Sequence, residues 1–254
     1  MLQSKDGLVP WQWMPWVPMR EPTLAPFCHH RRPSKEATRS VNTPSDALMC
    51  NNIGTVLATI FWTSLAAFAQ ALVILYPPVF LFWIIIHTKI DYWRTMGKRA
   101  YWYALLAWPL ISGPLFLMRQ SIFDIRWPVP WWMATIGVVS LVASLRTFSL
   151  AGRVISRRTL LGLVELEPHL NPQPVMQTGI YSKTRNPVYL AHWLLILGAA
   201  AISGFAANWI LVVAEVLLLA VLIRTEEKEL LSRYGSEYAS YMRRVPRFFP
   251  RWPW

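Results

Sequence analysis

Two adjacent carboxylates, Glu226 and Glu227, stand at the end of a long apolar stretch in the segment RTEEKEL. Ionised groups there are costly unless paired or hydrated, and a carboxylate near a helix C-terminus meets an unfavourable partial charge. Local propensity therefore argues against both residues, and a locally broken rule marks a functional candidate. The plain alternative has Glu227 and Glu229 in solvent and Glu226 paired with a neighbouring arginine. A second polar motif, TGIYSKTRNPVYLAHW, begins at Thr178 and runs into LLILGAAAISG. Pro187 suits the first turn of a helix, Asn186 can cap that helix, and Lys183 and Arg185 can snorkel to phosphate headgroups. Taken alone this is a basic connector, so its chemistry depends on what stands beside it.

The elements that position these motifs are membrane helices. Hydrophobic residues make up 54% of the 254-residue chain, in runs too long for a soluble core of this size, and runs of about 18 or more apolar residues indicate transmembrane helices. We expect an all-α integral membrane protein with about five spans, near residues 53–87, 100–122, 129–150, 188–205 and 207–224. Pro77-Pro78 must break or kink the first, which is too long for one straight crossing. The last two spans are joined by the uncharged turn SGFAAN, which forces an antiparallel hairpin. The hairpin returns RNPVY and RTEEKEL to the same membrane face, and a helix follows them at the C-terminus. Three regions are expected: a disordered basic, proline-rich tail over 1–50, N-terminal spans over 51–150, and a functional core over 151–254.

The net charge of +12 is placed in loops, where the positive-inside bias and anionic lipid explain it without nucleic acid. The same bias puts the motif face in the cytoplasm. Trp127, Trp131 and Trp132 fit an interfacial belt. No signal peptide fits the N-terminus. Cys28 and Cys50 form neither a disulfide framework nor a metal site, and no metal is expected. Signatures of soluble cofactor folds are missing: there is no GxGxxG, P-loop, GxSxG or HExxH, so no Rossmann domain is expected. Leu230, Tyr234, Tyr238 and Tyr241 lie at helical spacing and read as packing. Glu215, inside the last span, is a functional candidate without a nameable partner.

The order GLVELEP, TGIYSKTRNPVYL, hairpin, EEKELLSRYGSEYASYMRRVPRFFP resembles the isoprenylcysteine carboxyl methyltransferase family and its bacterial relatives, within the wider group that includes phospholipid N-methyltransferases. The resemblance covers about residues 145–250. It implies a membrane methyltransferase that uses S-adenosyl-L-methionine, with the cofactor held by the last two spans, the loop before them and the C-terminal helix. Carried over residue by residue, it assigns cofactor contacts to Gln173, Pro174, Val175, Met176, Tyr181, Asn186, Pro187, Val188, Tyr189 and Glu226, with Glu165 as a looser counterpart. Arg185 and Arg224 are the catalytic candidates. Two positions depart from the family pattern: its usual histidine is Asn186 here, and the arginine often found four residues before the glutamate falls at Leu222, leaving Arg224 as the nearest basic residue.

A methyl sulfonium is already activated, so such an enzyme chiefly aligns donor and acceptor and excludes water. A carboxylate acceptor is ionised at neutral pH and needs no general base. The expected function is carboxyl O-methylation of an isoprenylcysteine-like group on a lipophilic acceptor that enters from the bilayer. Alternatives are N-methylation of a phospholipid or other lipid, an NADPH-dependent reductase of the sterol-reductase kind, and a non-catalytic scaffold or transporter. PVYLAH lacks the H-P-N-Y-x-G-E pattern of the reductases, and the motifs cluster at one face without the repeat a transporter would show.

Overall fold

The computed structural model describes residues 44–170 and 173–250. Eleven helices follow one another among them: α1 (Pro44–Leu75), α2 (Pro77–Thr88), α3 (Ile90–Met96), α4 (Ala100–Leu117), α5 (Arg119–Ile122), α6 (Trp131–Gly152), α7 (Arg157–Leu160), α8 (Leu163–Leu166), α9 (Pro187–Ser203), α10 (Ala206–Tyr234) and α11 (Ser236–Arg244). The tail predicted over 1–50 lies outside the described residues as far as residue 43, and helix α1 already begins at Pro44. The compact unit that carries the spans and the motifs starts at Asn52.

Among the described residues, four stretches are long and apolar enough to cross a membrane: Gly54–Thr88, Ile90–Leu117, Trp131–Gly152 and Ala206–Tyr234. The fifth expected span, α9, is a shorter apolar helix of 17 residues, at the lower end of what reaches across a hydrocarbon core about 30 Å thick. The all-α membrane architecture expected from the sequence is therefore the one observed.

The kink at Pro77-Pro78 shows how the bilayer's rule on backbone polarity is met. Tyr76 keeps helical dihedrals and still donates its N–H to Leu72 O at 3.0 Å. Pro78 has no N–H to offer Ile74 O, and Val79 N–H turns back to Tyr76 O at 3.0 Å, which leaves Leu75 O open. Helix α4 supplies both missing donors: Ser112 Oγ–H reaches Ile74 O at 2.9 Å and Trp108 Nε1–H reaches Leu75 O at 3.2 Å. In hydrocarbon an unsatisfied carbonyl has no water to turn to, so these two side chains tie α4 to the kink.

Helices α6 and α9 approach most closely. A Cβ placed on Gly137 would come within 2.3 Å of Ile202 Cγ1, and one on Gly198 within 2.7 Å of Leu141 Cδ2. Small residues at a helix interface allow this packing in membranes, and Ser144 Oγ–H adds a hydrogen bond to Ala191 O at 2.7 Å. The α9–α10 hairpin turns at Gly204, in the left-handed region at φ 72°, where a Cβ would lie 2.5 Å from Trp127 O. The extended stretch before α6 closes over this turn: Trp127 N–H donates to Gly204 O and Arg126 Nε–H to Ser203 O. The hairpin deduced from SGFAAN is thus formed and braced.

Helix α10 differs from expectation in length. It continues past the apolar span to Tyr234 and ends at Gly235, whose φ is 54°. Glu226, Glu227 and Glu229 therefore lie in a helix interior rather than at its C-terminus, and the dipole argument against them does not apply. The tyrosine stripe packs as predicted, with Tyr238, Tyr241 and Val245 buried against Leu230, Tyr234 and Val175.

Ser112→Ala removes the side-chain donor that Ile74 O has among the described residues, so it should lower stability by about 1–3 kcal/mol, the cost of an unsatisfied buried acceptor. Thr135→Val, which loses only an exposed bond to its own helix, is the control. Thermal unfolding in detergent checks the difference.

Candidate functional site

The hairpin brings Tyr189, one turn into α9, against Glu226 of α10, and the phenol donates to Glu226 Oε2 at 2.7 Å. Arg185 comes to the same place but pairs with the other carboxylate. Its Nη2 lies 2.9 Å from Glu227 Oε1, and Arg247 holds Glu227 Oε2 from the opposite side at 2.8 Å. The plain alternative, with Glu226 paired to an arginine and Glu227 in solvent, is not the arrangement that forms: Glu227 is 4% exposed and doubly paired. Glu229 is also buried, between Arg94 of α3 and Arg233. The reason is helical geometry. Residues 226, 227 and 229 point in different directions, and two of those directions meet arginines from other elements.

Asn186 departs from its expected role as well. Its side chain makes no cap on α9 and donates instead to Arg247 O at 2.7 Å. Thr184 Oγ1–H to Phe248 O at 2.7 Å and Arg185 N–H to Pro246 O at 3.0 Å complete a strap of the chain's end across the RNPVY loop. The preceding loop is anchored by tyrosine hydroxyls: Tyr234 donates to Gln173 O and Tyr241 to Tyr181 O, at 2.8 and 2.7 Å.

These elements enclose a cavity of about 390 Å³, within the range of small-molecule sites. Seven of the predicted residues line it: Tyr181, Arg185, Asn186, Pro187, Val188, Tyr189 and Glu226. Five do not. Arg224 is exposed on the outer side of α10, and Gln173, Pro174, Val175 and Met176 lie off the wall. Gln173 stands one layer back, donating from Nε2 to Thr159 Oγ1, itself a lining residue, at 2.6 Å. Val175 packs on the tyrosine stripe.

Glu165 is on the wall, as its looser register suggested. Helix α8, which carries it, is held by arginines from two sides, Arg94 Nε–H to Glu165 O and Arg233 Nη1–H to Val164 O. Glu165 Oε2 is buried with no hydrogen-bond partner among the described residues. Burial pushes the Glu165 carboxyl up to about 6, against the opposing pull of its own backbone N–H and of Arg233 and Arg94. Burial, helped by Glu226, likewise raises the Tyr181 phenol, which stays neutral.

The far wall, made by Phe80, Trp83 and His87 of α2, Phe148 of α6 and His192 of α9, was not expected from the sequence. His192 stands edge-on to Phe148 with ring centroids 4.8 Å apart, and its Nδ1 is hydrogen-bonded to the Tyr76 hydroxyl. A histidine inside an apolar run is a signal in its own right; both His87 and His192 carried it. Glu215 is fully buried, and neither carboxylate oxygen has a hydrogen-bond partner among the described residues.

The site's electrostatics follow from this sorting. Glu227 and Glu229 each face two guanidinium groups, whereas Glu226 and Glu165, which face the cavity, form no ion pair among the described residues. The cavity is rich in aromatic faces and carboxylates, both of which attract a cation.

Residues 132–237 match the family model described as phospholipid methyltransferase. The chain is 31% identical over 165 residues to the nickel-cobalt-cadmium resistance protein NccN of Alcaligenes xylosoxydans xylosoxydans, an alignment covering 65% of this chain and 70% of that protein. It is 40% identical over 78 residues to the cobalt-zinc-cadmium resistance protein CzcN of Cupriavidus metallidurans, covering 30% of this chain and 36% of that protein. No solved structure matches it. The matched region includes α6, the α9–α10 hairpin and the cavity carboxylates. This integral membrane chain belongs to the isoprenylcysteine and phospholipid methyltransferase group.

Proposed function

We propose that the cavity binds S-adenosyl-L-methionine and that the protein methylates a lipophilic acceptor drawn from the bilayer. The observation that carries this reading is Glu226: a carboxylate on the cavity wall, oriented by Tyr189 and without a guanidinium of its own among the described residues. It suits the cofactor's ammonium. Arg185 lines the same wall with its Nε buried and without a hydrogen-bond partner among the described residues, which suits a carboxylate. The aromatic rings and the second carboxylate, Glu165, suit a sulfonium. The cofactor would supply an activated methyl group; the chain's part is to orient it and to keep water out. The Lys- and Arg-rich loops support a cytoplasmic motif face.

Two acceptor chemistries have support. The spare Nε–H of Arg185 favours the carboxyl of an isoprenylcysteine-like group. A lipid amine is favoured by Glu165, because an ammonium acceptor must lose a proton and a carboxylate held near pH 6 can take it. Methyl-labelled cofactor, incubated with the purified protein and a membrane extract, distinguishes them. Label released by mild base is a methyl ester, and label that survives is an N-methyl group. Glu226→Gln should reduce incorporation by at least about tenfold, the loss of one charge-assisted contact. Transfer undiminished in that variant would overturn the reading.

The raised Glu165 carboxyl also has a pH signature. Its protonated form is the one the fold tolerates, so its stabilising contribution is fully present below pH 4.5 and is lost as pH rises through 6. Glu165→Gln should flatten this slope and leave the protein up to about 2 kcal/mol more stable at neutral pH. Cation binding runs the other way: cofactor affinity in the native protein should weaken below pH 6, and less so in the variant. Melting and calorimetric titrations between acid and neutral pH test both slopes.

A further inference from the structure

His192 lines the cavity deeper along α9 than the groups so far given a role. Helix α9 begins at Pro187, directly after Arg185 and Asn186, so the polar end of the cavity lies at its start. Tyr189, which holds Glu226, comes first. His192 follows three residues later on the same face, about 4.5 Å further along the helix axis. Helix α2 gives the same order from the other side: Phe80 meets His192 with ring centroids 6.3 Å apart, whereas His87 stands in the last turn of α2. The imidazole is fixed on three sides. Phe148 and Phe80 meet it edge-on, at interplanar angles of 90° and 82°, and the Tyr76 hydroxyl engages Nδ1. Tyr76 is itself held at the Pro77 kink, with its ring 5.5 Å from that of Phe80. Nε2 is then the ring nitrogen without a hydrogen-bond partner among the described residues. In the tautomer that donates Nδ1–H to the Tyr76 oxygen, Nε2 carries a lone pair. A ring oriented through one nitrogen and open at the other has the form of a positioned base.

We propose that His192 Nε2 takes the proton that an amine acceptor must lose, and that Tyr76 positions the ring for it. The inference rests on the lipid-amine branch of the reading above. Displacement at a methyl group is in line, so the acceptor nitrogen arrives from the side opposite sulfur. Glu165 and Glu226 are close enough to act on one another electrostatically, and both suit the cofactor's positive groups, which puts them on the donor side. A carboxylate spent on the sulfonium is not free to take a proton. His192 lies beyond them along α9, on the side from which a bilayer lipid comes. In the step, the acceptor's N–H bond breaks and the proton goes to Nε2. The electron pair left on nitrogen forms the new N–C bond as the S–CH3 bond breaks, and the electrons of that bond stay on sulfur. The imidazolium keeps its Nδ1–H on Tyr76 and yields the added proton to water after product leaves.

The test uses the full chain in nanodiscs, with methyl-labelled S-adenosyl-L-methionine and a total membrane extract as acceptor, and follows base-stable label. His192→Asn, whose amide can keep the bond to Tyr76, should bind the cofactor within about twofold of the parent and lose about a hundredfold or more in kcat. Tyr76→Phe should lose about tenfold in kcat at unchanged KM. His192→Ala opens space between Phe80 and Phe148, where added imidazole should restore transfer by about tenfold or more and pyrrole, a ring of similar shape without a basic nitrogen, should not. A readout without turnover is nitrogen NMR of the protein free of cofactor, with His192 assigned through His192→Asn: Nδ1 should be protonated and Nε2 bare. The opposite tautomer overturns the proposal, as does parental transfer in His192→Asn or a loss that imidazole leaves unrestored. If His192→Ala does not fold, the rates of His192→Asn and Tyr76→Phe and the tautomer decide. Label that is wholly base-labile in the parent overturns the amine branch and the role of His192 with it, whereas intact N-methyl transfer in His192→Asn overturns that role alone.

Discussion

The ion triad Arg185–Glu227–Arg247 is the contact on which the site depends. It joins the loop before α9, the middle of α10 and the end of the chain, with side chains of Arg185 and Glu227 that are 6 and 5% exposed. A buried pair of this kind adds little net stability by existing, but removing one partner is expensive because a charge is left unpaired. The triad thus works as a latch. By taking both nearby guanidinium groups, Glu227 leaves its neighbour Glu226, on the cavity wall, with a tyrosine hydroxyl as its partner among the described residues. Arg94 and Arg233 repeat the pattern two residues later at Glu229, and Glu165 faces the same cavity. Four clustered glutamates are divided into two that hold the fold and two that can meet a cation.

The membrane portion is arranged around this latch by backbone economy. Prolines and glycines give the kink at Tyr76 and the close α6–α9 approach, and Ser112, Trp108 and Arg126 donate to carbonyls at the kink and at the hairpin turn. Beyond the kink, α2 carries Phe80, Trp83 and His87, which line the same cavity as Glu226.

Much of this could be read in the sequence, for physical reasons that differ by element. Long apolar runs and the uncharged SGFAAN turn dictate spans and hairpin, because the bilayer allows few alternatives. The juxtaposition of Tyr189 with Glu226 follows from the hairpin alone. The pairing of Arg185 with Glu227 rather than Glu226 was not legible, because it depends on the rotation of α10, which one residue's shift would reverse. The extension of α10 to Tyr234 was hidden by its charged last turns, which are stabilised by arginines distant in sequence. The Gln173–Met176 assignments, carried by resemblance, fall off the cavity wall, and Arg224 faces outward where the family's register had already lapsed at Leu222. The α2 wall was missed because apolar lining residues in a membrane helix look the same as lipid-facing ones, and only His87 and His192 broke the pattern.

The division of labour between adjacent glutamates is the central claim, and parallel variants at the two positions test it most directly. Calorimetric titration of S-adenosyl-L-methionine and thermal melting would be measured on Glu226→Gln and Glu227→Gln in the same detergent. A crossover is predicted. Glu226→Gln loses cofactor affinity by about tenfold or more and keeps or gains stability, whereas Glu227→Gln loses about 3 kcal/mol of stability through the unpaired Arg185. Equal effects of the two substitutions on both measurements would contradict it.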